Sequence, residues 1–170
     1  MGAIAPVDPE KPPSRFQQAM HSLGMTGPAR WYGMNVASRI DPPLLRLTGG
    51  RFSTTSFFPL VLMTVRGRKT GEPRTVPLVY FTDGEEVIVT ASSFGRAKHP
   101  AWYLNLKANP EVELSARGRS GRYIARETEG VERERLFELA TKLYAGYGLY
   151  AERAGNRTIP VMTLRPADPR

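Results

Sequence analysis

The 170-residue sequence contains no cysteine and only two histidines, His21 and His99, which lie far apart. Disulfides, thiolate metal sites and cysteine nucleophiles are therefore excluded, and no metal site is predicted. No apolar run approaches the roughly 20 residues that a transmembrane helix needs. The N-terminus also lacks a basic segment followed by an apolar core, as a secretory signal would have. These absences predict a soluble, cytoplasmic protein.

Acidic residues are also few in comparison with basic residues. The chain has 16 Asp and Glu against 24 Lys and Arg, which gives a net charge of +8 and a pI near 10.1. This balance favours a negatively charged partner. Nucleic acid, an anionic membrane surface and a multiply charged small molecule all satisfy it, so charge alone does not choose among them.

The sequence motifs of self-sufficient catalytic sites are missing as well. There is no G-x-S-x-G nucleophile elbow, no Walker lysine loop and no G-x-G-x-x-G. Most acids fall at turns or on the outer face of a helix, where a solvated charge is the simpler interpretation. An enzyme without reactive groups of its own usually takes them from a cofactor and supplies binding and orientation.

Three regions follow one another along the chain. Residues 1–13 carry four prolines without periodicity, which predicts a disordered or extended arm. Residues 14–58 read as two amphipathic helices and a connector, and residues 59–170 as a β-rich domain. The helices, with Arg30, Arg39 and Arg46 nearby, are expected to cover one end of a barrel, and peripheral membrane contact stays open.

From Leu60 onward the apolar pattern changes to a period of two, which is typical of strands. The predicted strands cover 60–66, 75–82, 87–91, 112–116, 121–128 and 159–165. Helices are predicted over 101–108 and 131–144. The fold class is therefore mainly β with α additions (α+β), a six-stranded antiparallel barrel. Pro77 removes a ladder donor, so its strand should be an edge or bulged there.

A basic turn, residues 66–74, joins the first two strands. Its cations are Arg66, Arg68, Lys69 and Arg74, against the single acid Glu72. Gly67 and Gly71 allow positive φ, so the backbone can present N–H groups to an anion. The alternative is an ordinary solvated hairpin loop. A second polar loop, residues 92–99, enters a helix at Pro100, and a helix N-terminus also attracts anions.

Three segments together carry a resemblance to a known family. They are R-G-R-K-T-G-E-P-R-T-V-P-L (66–78), K-H-P-A-W-Y-L-N-L-K-A-N-P (98–110) and K-L-Y-A-G-Y-G-L-Y (142–150). In this order they resemble the deazaflavin (F420)-dependent nitroreductase family. The resemblance implies an FMN-binding split β-barrel fold and the cofactor F420.

The resemblance also implies site residues. The residues that resemble the holders of the cofactor's phosphate and acidic tail are Arg68, Lys69, Thr70 and Arg74. Contacts along the flat ring are implied for Val76, Pro77 and Leu78. The resemblance implies that Ala91, Ser92 and Ser93 form the opposite wall of the site. It also implies that Arg96 and Lys98 add positive charge and that Trp102 and Asn105 lie at the floor. Trp102, at the start of its helix, reads as a core residue, and its contact with the cofactor rests on the resemblance alone.

Three tyrosines of the last segment, Tyr144, Tyr147 and Tyr150, resemble those that line the family's substrate pocket and donate a hydrogen bond to the acceptor. Their spacing of three also suits an aromatic face packed on the barrel. Gly146 and Gly148 should break the helix between them, which favours a pocket wall. The second loop departs from the family's usual Lys-Gly-Gly near residues 93–95, where Phe94 is expected to narrow the pocket.

The resemblance implies a reductase that transfers hydride from the reduced deazaflavin to a conjugated, electron-poor acceptor: a quinone, an enone or a nitroaromatic. An FMN enzyme of the same fold is the nearest alternative, because its phosphate also needs a basic turn. A basic nucleic-acid-binding small barrel is the alternative from another class, although few aromatics lie near the turn. The choice between monomer and homodimer stays open.

Overall fold

The computed structural model describes residues 4–11 and 58–167. These residues form six strands: β1 (Leu60–Arg66), β2 (Pro73–Asp83), β3 (Glu86–Thr90), β4 (Glu111–Ala116), β5 (Arg119–Glu127) and β6 (Val161–Pro166). Each predicted strand is present, with ends that differ by about two residues, as is usual for pattern-based boundaries. The two predicted N-terminal helices and the connector after them lie outside the described residues.

The six strands close into an antiparallel barrel in the order β1-β2-β3-β6-β5-β4. The first three form the predicted meander. β6 then inserts between β3 and β5, and β4 returns to pair with β1. Closure leaves every strand with a neighbour on both sides, which removes the exposed edges that invite aggregation. The predicted fold class is confirmed.

β2 is paired differently along its two halves. Its first half pairs with β1 in an uninterrupted register from Arg66↔Pro73 to Leu60↔Val79. Only its last residues, Tyr80 to Asp83, pair with β3. Among the described residues, Pro77 therefore lies where β2 is paired on one side, as expected for an edge position. The alternative prediction of a bulge at Pro77 was wrong, because the ladder to β1 continues through it.

Three α-helices belong to the described region: α1 (Ala101–Ala108), α2 (Gly130–Leu143) and α3 (Gly146–Ala154). The first two were predicted. The third was missed, because Gly146 and Gly148 indicated a helix break. A break does occur, but earlier, at Tyr144, whose backbone is extended, and both glycines lie inside α3. None of these described helices combines the length and the apolarity needed to span a bilayer.

Two apolar clusters fill the domain. One occupies the barrel interior and includes Val61, Met63, Leu114 and Leu164. The other lies outside the barrel, where Phe81 and Ile88 pack against α2 and α3. Alternate residues of β2 and β3 thus point into different clusters, as the period of two dictates. The helices are held on one side of the barrel by this second cluster.

Residues 4–11 are packed against the barrel, which corrects the prediction that they belong to a disordered arm. Ile4 is 4% exposed and joins the interior cluster. Its N–H donates to the Tyr123 hydroxyl, the Tyr80 hydroxyl donates to the Ala5 carbonyl, and the Thr82 N–H donates to the Val7 carbonyl. Composition missed this because the partners are side chains and strand edges distant in sequence.

Replacing Ile4 with alanine should lower the free energy of unfolding by about 2 kcal/mol, because a buried side chain leaves a cavity in the barrel interior. Urea unfolding followed by tryptophan fluorescence measures the change. Val131→Ala, at a site 81% exposed, is the matched control and should stay within about 0.5 kcal/mol of the wild type. Equal stability of the Ile4 variant and the control would contradict the packing of this segment.

Candidate functional site

The basic turn is a tight, internally bonded structure. The Gly67 N–H donates to the Glu72 carbonyl at 2.8 Å, and the Gly71 N–H donates to the Gly67 carbonyl at 2.8 Å. Gly71 has a φ of +73°, which side chains rarely tolerate. A Cβ on Gly67 would lie 3.1 Å from both the Glu72 carbonyl oxygen and the Thr70 hydroxyl. Gly71 is therefore required by its left-handed backbone, whereas Gly67 does not have the predicted positive φ, and a side chain there would have to displace its neighbours by a few tenths of an ångström.

Two asparagines of the following helix region hold the turn against α1. The Asn105 side-chain oxygen accepts a hydrogen bond from the Arg68 N–H at 3.2 Å. The Asn109 amide donates to the Arg66 carbonyl at 3.4 Å. Asn105, which the resemblance placed on the floor of the site, thus has an observed contact to the basic turn. Asn109 was not predicted, and its partner is a backbone group that leaves no sequence signal.

The cations of the turn project into solvent. Arg68, Lys69 and Arg74 are all exposed, and within residues 4–11 and 58–167 their side chains form no ion pair. Five other exposed cations of the described region do pair with carboxylates: Lys107, Arg126, Arg135, Lys142 and Arg165. The turn consequently keeps charge available for an anion.

Half-buried apolar residues follow the basic turn on β2. Val76 and Leu78 pack against the interior cluster, to which Ala91 and Trp102 also belong. Residues from β2, the end of β3 and α1 thus contribute to one apolar cluster. Trp102 is 9% exposed, so packing accounts for its position, and its contact with a cofactor stays a prediction.

The second loop, residues 92–99, has an unusual backbone. Ser93, Phe94 and Gly95 have φ values of 51°, 56° and 76° in succession. Each non-glycine residue in this left-handed region costs about 1–2 kcal/mol, so surrounding contacts must hold the loop. Gly95 cannot be replaced, because a Cβ there would lie 2.9 Å from the Tyr150 carbonyl oxygen and 2.8 Å from the Arg153 Cβ.

The side chains of the second loop are placed in two ways. Ser92 and Ser93 are half-buried, whereas Arg96 and Lys98 are exposed and add positive charge on this side. The Phe94 ring is 37% exposed and meets the Tyr150 ring edge-on, with centroids 5.7 Å apart. Phe94 thus connects the loop to the tyrosines, as a residue that narrows a pocket would.

Tyr144, Tyr147 and Tyr150 form one buried aromatic group. Each ring meets the other two edge-on, with centroids 5.5–6.2 Å apart. The hydroxyls of Tyr144 and Tyr150 are hydrogen-bonded at 3.2 Å. All three expose less than a tenth of their surface. This burial agrees with the interpretation of their spacing of three as an aromatic face packed on the barrel. Their role as a pocket wall stays a prediction.

The electrostatics of this group favour neutral hydroxyls. Burial raises the pKa of Tyr144 far above its ordinary value, and its hydrogen bond to Tyr150 adds to the effect. Burial also raises the pKa of Tyr147, against a smaller opposing effect of a hydrogen bond with Thr90. These two tyrosines stay protonated at neutral pH, so they can donate hydrogen bonds but release a proton reluctantly.

Arg157 was missed by the sequence reasoning. It precedes β6, and its half-buried guanidinium donates to the Ser92 carbonyl at 2.7 Å. Desolvation by burial lowers its pKa, although it remains charged. No pattern in the chain pointed to it, because its partners are backbone carbonyls more than 60 positions away.

Comparison with known proteins identifies the family. Residues 38–166 match the family of F420H(2)-dependent quinone reductases, which is most of the chain. The chain belongs to this family. The resemblance to F420-dependent oxidoreductases of the split-barrel fold is thereby confirmed, and F420 is the family's cofactor.

Individual relatives agree. An F420H(2)-dependent quinone reductase of Mycobacterium tuberculosis is 32% identical over 144 residues, which cover 80% of this chain and 96% of the relative. A solved F420-H2 dependent reductase is 39% identical, with a TM-score of 0.59 over 63% of this chain and 94% of that one. A structure described as a domain-swapped dimer is 33% identical, with a TM-score of 0.61 over 82% of this chain and 100% of that one.

The buried Tyr147 hydroxyl should make stability fall at alkaline pH. Below its ordinary pKa of 10.0 the hydroxyl is protonated in both states. Above that pH the unfolded chain ionises while the folded protein does not, so the free energy of unfolding falls by a slope approaching about 1.4 kcal/mol per pH unit. Tyr147→Phe should remove the part of this alkaline loss of stability that comes from the Tyr147 hydroxyl.

Chemical denaturation at several pH values up to 11 measures the difference between Tyr147→Phe and wild type. Between pH 7 and 9 that difference should be constant, which serves as the internal control. Parallel curves for the two proteins up to pH 11 would show that the hydroxyl ionises as easily in the folded state as in the unfolded state.

Proposed function

We propose that this protein is an F420H2-dependent quinone reductase. The observation that carries the proposal is a basic turn whose cations have no partners among the described residues, followed on β2 by half-buried apolar residues, in a member of this family. Bound reduced deazaflavin supplies the hydride, so the chain needs no nucleophile of its own. Its residues bind the cofactor, orient it against the acceptor and exclude water.

The chemistry of the turn suits the charged end of F420. The cofactor carries a phosphate and acidic carboxylates, and Arg68, Lys69 and Arg74 provide charge-assisted donors for both. The Thr70 hydroxyl lies within the same turn. Because these side chains are exposed, they can adjust to a flexible acidic tail. The cations of the turn therefore anchor the cofactor and take no part in the reaction.

The ring system needs a different surface. Val76, Pro77 and Leu78 present apolar atoms from a half of β2 that, among the described residues, pairs with β1 alone. We expect backbone groups on its other side to meet a ring edge. Ala91, Ser92 and Ser93 are expected to form the opposite wall. A flat heterocycle between these two segments would be shielded from water on both faces.

Tyr150 is the tyrosine best placed to meet an acceptor. It touches the second loop through Phe94, and its hydroxyl is joined to that of Tyr144. We expect it to donate a hydrogen bond to the acceptor oxygen, which gains negative charge as hydride arrives. Solvent then supplies the proton, because neighbouring hydroxyls of raised pKa are poor acids.

Quinones are the favoured acceptors because the family name and the relatives name them; enones and nitroaromatics share the same electron demand and are secondary candidates. F420 is favoured over FMN for the same reason. One relative is described as a domain-swapped dimer, and this favours a homodimer over a monomer for the present protein.

Purified wild-type protein should bind oxidised F420 saturably, with a change in the fluorescence of the deazaflavin ring. Lys69→Ala should weaken binding about 10-fold through the loss of one charge-assisted contact, worth about 1.4 kcal/mol. Lys142→Ala is the matched control, because that lysine pairs with Glu10 and Glu138 away from the turn. No saturable F420 binding by the wild type at low salt would refute the proposed function. FMN binding, or steeply salt-dependent oligonucleotide binding, would support the alternatives.

Tyr150→Phe should lower kcat for quinone reduction about 10-fold and leave the F420 dissociation constant unchanged, because it removes the hydrogen bonds to the acceptor and to the Tyr144 hydroxyl but none to the cofactor. Stopped-flow oxidation of the reduced cofactor measures the rate. Tyr80→Phe is the control: it also removes a buried hydroxyl, one that contacts the Ala5 carbonyl, and should keep the wild-type rate. Equal rates for Tyr150→Phe and wild type would exclude this role.

A further inference from the structure

Arg157 bonds the backbone on both sides of the left-handed turn. Its Nη2 donates to the Ser92 carbonyl at 2.7 Å and its Nη1 to the Ala91 carbonyl at 3.3 Å, both before the turn. Its Nε donates to the Arg96 carbonyl at 2.9 Å, just after the turn. One guanidinium therefore closes the loop like a clamp, with each of its nitrogens engaged.

The barrel's register explains why Arg157 meets this loop. β3 and β6 are antiparallel, and Thr90 at the end of β3 faces Val161 at the start of β6. The Ala91 N–H still donates to the Pro160 carbonyl at 2.9 Å, so the ladder extends one step past the strands. Residues that leave β3 thus run beside residues that enter β6, and Arg157 is four positions before that entry.

A further contact fixes the guanidinium itself. Nη1 lies 3.3 Å from Nδ1 of His99, and because an arginine nitrogen can only donate, Nδ1 is the acceptor. The His99 ring is in turn 4.8 Å from the Tyr103 ring, tilted against it. His99, which packs against Tyr103 of α1, therefore fixes the guanidinium of Arg157 while that guanidinium binds the carbonyls of the loop.

The loop needs such support. Three consecutive residues, Ser93 to Gly95, have left-handed backbone, and strained backbone persists where the surrounding structure over-determines it. Within the loop itself, only the Gly95 N–H to Ser92 and the Arg96 N–H to Ser93 bonds, at 3.0 and 3.1 Å, maintain the turn. The Tyr150 backbone blocks one side, and Arg157 ties the two ends.

We infer that Arg157 is a positioning residue that shapes the cofactor wall formed by Ala91, Ser92 and Ser93. It acts through backbone carbonyls and does not itself contact the reacting atoms. This inference rests on the proposed function, because that function makes the loop a wall of the F420 site. Arg157 lies three residues after the end of α3, so it also links the position of this wall to the helix that bears Tyr147 and Tyr150.

The test uses Arg157→Lys and Arg157→Met in the full chain. A lysine has one donor atom and can reach one carbonyl, whereas the planar guanidinium of Arg157 reaches three. Arg133→Met is the matched control: that arginine is also half-buried and donates to a backbone carbonyl, that of Ile159, at 3.2 and 2.8 Å, but it does not touch the loop.

In the cofactor-free protein, hydrogen–deuterium exchange of the Gly95 and Arg96 amides should be at least 10-fold faster in both Arg157 variants and unchanged in Arg133→Met. F420 should bind about 10-fold more weakly to Arg157→Lys, while kcat at saturating cofactor stays within about 2-fold of wild type. Full occupancy restores the wall, so the loss appears in affinity and not in the chemical step.

Unchanged exchange of the loop amides in Arg157→Lys would overturn the clamp. Faster exchange with wild-type F420 affinity would overturn the positioning role, since the loop would then be loose without consequence for the site. If wild-type protein failed to bind F420, the proposed function would fail and the cofactor part of this inference with it, while the exchange data would still decide whether Arg157 clamps the loop.

Discussion

The insertion of β6 between β3 and β5 is the interaction on which the rest of the structure depends. It pairs the last strand with the middle of the chain and closes the barrel, so that each strand has a neighbour on both sides for at least part of its length. The pairing is long-range, so its entropic cost must be met by burial of the apolar residues of both strands, such as Val89 and Leu164.

This closure also assembles the candidate site. The antiparallel register brings the exit of β3 beside the entry to β6, which sets the second loop against Arg157. In the described part of the chain, the same closure leaves the first half of β2 paired with β1 alone, next to the basic turn. The basic turn and the apolar residues that follow it on β2 therefore both owe their positions to the same barrel topology.

Sequence reasoning succeeded where the signal was local. The period of two from Leu60, Gly71 of the basic turn and the proline at Pro100 each reflect backbone physics within a few residues. It failed where the partners were distant. Residues 4–11 had the composition of a disordered arm yet pack on the barrel, and α3 formed despite Gly146 and Gly148, because burial against Phe81 and Ile88 outweighs the propensity cost of two glycines.

The sequence by itself determined the strand pattern, the excess of positive charge, the absence of thiol chemistry and, through three ordered segments, the family. The tertiary structure alone decided which carbonyls Arg157 holds, that Asn105 fastens the basic turn, and that the tyrosines form a buried, hydrogen-bonded group. The physical reason is that hydrogen bonds to backbone and edge-on ring contacts depend on position in space. They leave no periodicity or spacing along the chain by which they could be read.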